Sequence, residues 1–398
     1  MKYDVIVIGA GPAGLITAHE ASKRLDGVLV LEEHEEIGRP DHCAGILSVT
    51  GLDSLGLRPP DDVVQNMVNK ARIYSPSGYQ VEVGRGKSEA LVVDRALFDR
   101  WLADRAADNG SDIVVGCRVR SVILNGREGN EIVDSQGDRR CASIVIDAEG
   151  FRCVLSSRIG LPRVNRLSRL PAYQYEVRGA KLDDDTVEMF YSRRFAPGFF
   201  AWLVPLGDGR ARVGLASKSR SRIRLDAAMR HHPILSASLK HAKVERGLGG
   251  VVLAGLPIRT TYAKGIMIVG DAAGMTKPTT GGGVIYGGIA GRIAGRVAVS
   301  AVLAQDTSEE RMSDYQRRWR GAMMSELRTM YVAYKFLSSL GDRGMDTLIR
   351  NASQSGLVDV VQRHGDMDRQ KQVIWRLIRE PTAVLSVLSA LRFLSPHL

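Results

Sequence analysis

Cysteine is scarce in this 398-residue chain: Cys43, Cys117, Cys141 and Cys153 are all it has, and no two of them stand in Cys-x-x-Cys spacing. That distribution excludes a disulfide framework or a zinc ribbon and suits a reducing compartment. Long hydrophobic runs are lacking too. The most apolar stretch near the end, Thr382–Leu391, has about half of the ~20 residues that a membrane-crossing helix needs. Met1–Ile8 leads straight into a glycine turn, without the build of a secretion signal. There is no His-Glu-x-x-His and no serine elbow, so no metal site is expected and acyl transfer has no support. Basic residues are dispersed rather than interleaved with aromatics, which argues against a nucleic-acid module. Repeats and low-complexity tracts are absent as well.

What is present is ordinary for a globular protein, 44% hydrophobic and 25% charged, and the length suggests two joined domains. A formal charge of +11 points to anionic company, whether nucleic acid, an acidic substrate or a phospholipid surface, and does not by itself choose among them.

Tyr3–Ile8 is a short β-branched run, read as a buried parallel strand. A glycine turn, a helical pattern over Ala13–Leu25 and a second apolar strand, Val28–Leu31, complete a β-α-β unit. Val92–Gly110 reads as a helix reached from a strand end, and Ser111–Leu124 and Glu131–Ile146 alternate like strands. From about Leu161 to Ala254 the texture is strands and turns. Ile266–Val269 resumes the buried strand pattern, Val284–Leu303 is a helix of small residues, and beyond Gln305 the chain reads as helices. The reading is an α/β fold. A discontinuous Rossmann-type domain spans 1–160 and 255–304, an antiparallel-sheet domain is inserted at 161–254, and a helical region fills 305–398.

Gly9-Ala10-Gly11-Pro12-Ala13-Gly14 places Gly-x-Gly-x-x-Gly between strand and helix. Gly9 permits the tight turn, Gly11 lets the backbone approach a pyrophosphate, and Gly14 lets helix and sheet pack closely. The pyrophosphate would sit on the helix N-terminus around Ala13. Glu32 ends the second strand where a carboxylate can accept ribose hydroxyls. A second half lies far downstream, in Gly270-Asp271-Ala272-Ala273-Gly274 and in Gly281-Gly282-Gly283 before Val284. A carboxylate at a strand end suits a ribityl chain, and a glycine-rich helix start suits the flavin pyrimidine edge. These features select FAD over NAD. Arg95, in Val93-Asp94-Arg95-Ala96-Leu97-Phe98-Asp99, is placed to reach the same cofactor.

The glycine turn with Glu32, Arg95 before Phe98-Asp99, Asp147-Ala148-Glu149-Gly150 and the Gly-Asp segment resemble the glutathione-reductase-type flavoproteins. More narrowly, the chain to about Leu303 resembles the geranylgeranyl reductase family. His42-Cys43-Ala44-Gly45-Ile46 is similar to that family's Cys-x-Gly segment at the cofactor. Pro197-Gly198-Phe199-Phe200-Ala201-Trp202-Leu203-Val204-Pro205 is similar to its Pro-x-x-Tyr-x-Trp-x-Phe-Pro stretch over the lipid chain. Phe200 replaces the family's Tyr and Val204 its Phe.

The resemblance implies FAD contacts from Ala13, Glu32, Cys43, Ala44, Ile46, Arg95, Asp271, Gly283 and Val284, with a backbone contact from Val119 to the adenine. It puts Cys43 near the flavin as a candidate catalytic position, and Phe200 and Trp202 at the substrate. The implied activity is FAD-dependent saturation of geranylgeranyl double bonds in archaeal ether phospholipids. With it go an external electron donor (ferredoxin, a deazaflavin or a nicotinamide) and a cytoplasmic enzyme, peripheral at the inner membrane face. An aromatic-hydroxylase-type monooxygenase is the alternative, and an FAD carrier without catalysis is a second one. Two basic features bear on the membrane. Lys218, Arg220, Arg222 and Arg224 alternate, so on a strand they would share one face. The tail Trp375–Leu398 mixes arginines with apolar residues, as an interfacial helix does.

Overall fold

The computed structural model describes residues 2–126 and 129–393. They fold as two compact units, each assembled from three stretches of chain.

The first unit comprises Met1–Asp41, Arg95–Ser168 and Leu253–Leu327. Its sheet runs Ile266–Ile268, Arg139–Asp147, Lys2–Ile8, Val28–Leu31, Asp112–Val114, all parallel. Val5–Val7 and Val28–Leu31 are almost wholly buried, as β-branched and aliphatic strands covered on both faces must be. Tyr262–Ala263 adds an antiparallel edge, and the hairpin Val119–Gly126/Gly129–Asp134 pairs with Arg139–Asp147. Helix Pro12–Ser22 packs against Val284–Leu303, whose small residues permit contact of the backbones. A Cβ on Gly291 would lie 2.4 Å from the carbonyl oxygen of Ala13.

The register decides where a ligand can sit. Ile8 pairs with both Leu31 and Asp147, and Asp147 pairs with Ile268. The carboxyl ends of four strands therefore share one edge, with the first strand flanked on either side at the topological switch point.

The second unit comprises His42–Asp94, Arg169–Val252 and Arg328–Leu398. Its large sheet follows the order Lys243–Leu253, Arg169–Arg178, Arg210–Ala216, Ala201–Gly207, Thr186–Phe190, Lys70–Tyr74, Gln80–Gly84. Arg210–Ala216 is antiparallel to both Arg169–Arg178 and Ala201–Gly207, as are Ala201–Gly207 to Thr186–Phe190 and Lys70–Tyr74 to Gln80–Gly84, while Thr186–Phe190 runs parallel to Lys70–Tyr74. A small sheet joins Ile46–Ser48, Ala90–Val93 and Val64–Val68. Alternation sorts the side chains. Leu203, Val213 and Leu215 pack with Leu225, Ala228 and Leu235 of helices Ser221–His231 and Pro233–Ser238. Val204 and Trp202 pack instead with Val68 and Val92.

The α/β architecture is the expected one, and helix Val284–Leu303 has the expected bounds. One expectation fails. The strand Arg210–Ala216 stops before Lys218, Arg220 takes a left-handed conformation at φ 54, and Ser221–His231 is a helix. The Lys218–Arg224 row consequently shares no strand face. Arg222 lies over the Tyr173 ring, and Arg224 donates to the carbonyls of Arg194 and Ser219. The apolar tail does form a helix, Pro381–Leu391; residues 394–398 of the expected interfacial segment lie outside the described residues.

Candidate functional site

At the strand edge of the first unit, the chain leaves Ile8 through Gly9, whose φ of +103 is one that L side chains rarely adopt. A Cβ there would sit 2.4 Å from the carbonyl oxygen of Ala148, and one on Gly14 would sit 2.1 Å from that of Gly9. Gly11 differs: a Cβ on it would meet nothing within 4 Å. It caps helix Pro12–Ser22 without a side-chain hydrogen bond. Space is thus open beside Gly11 at the positive end of the helix dipole, as a cradle for an anion requires.

Glu32 lies beneath this turn, 9% exposed. Its Oε2 accepts from the Ala10 amide at 2.8 Å, and its Oε1 accepts from the His34 amide at 3.0 Å and pairs with His34 Nδ1. These use three of roughly four acceptor positions on a carboxylate, so one remains for a hydroxyl. His34 has no mark in the sequence, since a histidine three residues past a strand carries no signal of its own.

Around the same edge, Arg95 begins helix Arg95–Ala107 and forks onto the buried Asp99 at 2.9–3.2 Å. Burial raises the Asp99 carboxyl, and Arg95 opposes that rise. Asp271 behaves alike: burial pushes it up and the Arg95 charge draws it down. A Cβ on Gly283 would lie 2.7 Å from Asp271 Oδ1, so glycine here makes room for that carboxylate at the start of Val284–Leu303. Lys277, only 6% exposed, lies against Gly282. Asp147, fully buried at the end of its strand, accepts from the Glu149 amide at 3.1 Å and leaves Oδ2 without a partner. Burial first, then the neighbouring Glu149 charge, raise its carboxyl far above the usual range. The donor set fits a dinucleotide: amides for its phosphates, a carboxylate for a ribose, and polar groups along one edge.

The first unit therefore carries Gly9, Gly11, Ala13, Gly14, Glu32, Arg95, Val119, Asp271, Gly283 and Val284, while Cys43, Ala44, Ile46, Phe200 and Trp202 belong to the second. Within the second unit these five are close. Ala44, Ile46 and Trp202 pack on one cluster together with Met367. Gln174 donates to the Cys43 carbonyl at 3.0 Å, and its Oε1 lies 3.4 Å from Trp202 Nε1. Arg212, wholly buried in strand Arg210–Ala216, donates to the carbonyls of Ala44 and Val93 at 3.0 and 3.1 Å. It also bonds Gln65 and Glu176. A guanidinium with five donors is suited to pin a loop through its carbonyls. Burial works to raise Glu176, but Arg246 and Arg212 hold it down at about 2.

Phe200 stacks on Phe199 with centroids 4.3 Å apart, meets Trp202 edge-on at 6.3 Å, and lies 5.5 Å from Tyr191. Tyr334 extends this aromatic wall from Phe199. Burial pushes the Tyr191 hydroxyl up to about 12. The phenol lacking at position 200 is thus present on a neighbouring ring, one that linear spacing did not reveal.

The chain matches the family described as lycopene cyclase protein over residues 4–340. It is 33% identical to digeranylgeranylglycerophospholipid reductase 2 of Methanopyrus kandleri, over 94% of this chain and 97% of that protein. A geranylgeranyl bacteriochlorophyll reductase-like protein of Thermoplasma acidophilum superposes with a TM-score of 0.85 at 28% identity, covering 98% and 99% of the two chains. The halogenase PltM in complex with phloroglucinol and FAD shares the fold, with a TM-score of 0.69 at 15% identity over 98% of this chain and 91% of the other.

Proposed function

Because this chain belongs to the lycopene cyclase protein family and to that of the digeranylgeranylglycerophospholipid reductases, we propose that it is an FAD-dependent reductase of geranylgeranyl double bonds in ether phospholipids. The observation that carries the reading is the edge where the open Gly11 cradle, Glu32 and the Asp271–Gly283 pair follow the carboxyl ends of strands of one sheet. The family places a reductase ahead of an aromatic-hydroxylase-type monooxygenase.

In this reading the first unit is the cofactor domain. Gly9, Gly11, Ala13 and Gly14 shape the pyrophosphate cradle, Glu32 accepts from a ribose, and Val119 offers backbone to the adenine. Arg95 balances Asp271, and Gly283 and Val284 present amides to the ring. The family resemblance assigns Cys43, Ala44 and Ile46 to the cofactor, and Phe200 and Trp202 to the prenyl chain. FAD, when bound, supplies the hydride. An isolated alkene is a poor hydride acceptor, so the wall of Phe199, Phe200, Trp202 and Tyr191 has two tasks: to hold one carbon in place and to exclude water. The electron donor is external, a ferredoxin, a deazaflavin or a docking nicotinamide. The protein is read as peripheral, visiting lipid from the cytoplasmic side; no helix among the described residues is long and apolar enough to cross a membrane.

The test is anaerobic reduction of the purified protein, addition of unsaturated archaeal lipid, and mass spectrometry. Gains of two hydrogens per bond support the proposal. Oxygen consumption with an aromatic substrate, and no lipid saturation, would point to the hydroxylase.

A further inference from the structure

The tail of the second unit exposes apolar side chains that a protein surrounded only by water has no use for. Trp375 and Ile378 on helix Gln370–Arg379, and Leu385 and Leu388 on helix Pro381–Leu391, are each more than half exposed. On the latter helix Ala383, Ser386 and Ala390 turn inward, so the larger side chains occupy its outer face. Beside Trp375 a cavity of about 670 Å³ opens between Leu357–His364 and Gln370–Arg379, lined by Arg363, Arg376 and Arg379 with His364. Asp359 and Glu380 also line it, but among the described residues neither Arg363 nor Arg379 forms an ion pair. Guanidinium groups gathered in a concavity bind phosphate oxygens in pairs, and an apolar rim beside them suits acyl or prenyl chains.

The turn joining the two helices connects this surface to the aromatic wall. Met367 packs with Ala44, Ile46 and Trp202, and the Asp368 carboxylate accepts from the Ser48 hydroxyl. Asp366 steadies the turn by accepting from the amides of Asp368 and Arg369.

We propose that these tail helices dock this protein on a bilayer, the Arg363–Arg376–Arg379 cavity taking the phosphate of a lipid headgroup while Trp375, Ile378, Leu385 and Leu388 enter the interface. The proposal rests on the lipid-reductase reading and names the surface by which it reaches its substrate. Arginine and exposed aliphatics together select a phospholipid surface over free phosphate, which has no use for the apolar rim.

The test is flotation of the FAD-loaded full chain with phosphatidylglycerol-containing vesicles and with phosphatidylcholine vesicles. Arg363→Ala/Arg376→Ala/Arg379→Ala should weaken binding to the anionic vesicles about a hundredfold, with FAD content unchanged. Leu385→Ser/Leu388→Ser, a pair of exposed positions, should weaken binding to both. Wild-type vesicle affinity in both variants overturns the proposal. So does a thermal shift with inorganic phosphate alone and no vesicle binding, or a dimer in sedimentation that ignores vesicles. Turnover separates the two readings. Docking without lipid saturation leaves this inference standing and sinks the reductase. Saturation of detergent-dispersed lipid by the triple variant, with bilayer lipid untouched, supports both.

Discussion

Glu32 is held from three sides and still has acceptor capacity, so its replacement has two consequences. Glu32→Ala removes a charged acceptor from the proposed ribose and releases the Ala10 amide of the turn. Loss of a charged hydrogen bond is typically ~1.5–3 kcal/mol, about ten- to a hundredfold in affinity. The variant should purify with little flavin, and unchanged flavin absorbance would speak against the site. At Gly283 the sequence and the structure give different reasons for a glycine. Three glycines before a helix suggest close approach of a cofactor; the structure adds that a side chain there meets Asp271. Gly283→Val should therefore displace Asp271 and lower FAD retention, as read by equilibrium dialysis. His232 yields a pH prediction. Burial lowers its imidazole from 6.5 to about 4, and its Nδ1 accepts from the Leu235 amide. Between those values the unfolded chain binds a proton that the folded one refuses, so stability falls as pH drops from 6.5 towards 4. His232→Asn keeps a capping acceptor without titrating. Its melting temperature should fall less than the wild type's over that window, and parallel curves would contradict the assignment.

The strands and helices were legible where their pattern is local. Val28–Leu31 and Val284–Leu303 could be read from apolar periodicity because burial on both faces, or contact of two backbones, leaves a mark on each successive residue. The Lys218–Arg224 row shows the limit of that logic. Alternating charge implies a shared face only if the segment is a strand, and residue 220 turns the chain into a helix. Arg212 lay beyond such reading altogether: one arginine in an alternating strand looks solvated, yet it is wholly enclosed and ties Ala44 and Val93 to its own strand. Arg212→Met should leave those carbonyls and Gln65 unpaired, costing about 3 kcal/mol or more in urea unfolding. A loss below ~1 kcal/mol would show that the clamp is dispensable.

For the whole molecule, a charge of +11 biases every encounter towards anionic surfaces. Screening shortens that attraction to roughly 3 Å in 1 M salt, against about 10 Å at 0.1 M. Wild-type protein should co-sediment with anionic vesicles at low salt and largely leave them at high salt; salt-independent binding would assign the affinity to the apolar tail alone. The same scale separates the two sources of information about this protein. Sequence alone determined the α/β character, the glycine turn, the acidic residue beneath it and the distant Gly-Asp half, because each depends on neighbours a few residues apart or on a fixed spacing. Tertiary structure decided which distant groups meet: that residues 42–94 join the sheets of the second unit, that Tyr191 stands by Phe200, and that Met367 reaches the Trp202 wall. Strand pairing and burial join residues far apart in the chain, and no local period records the partner.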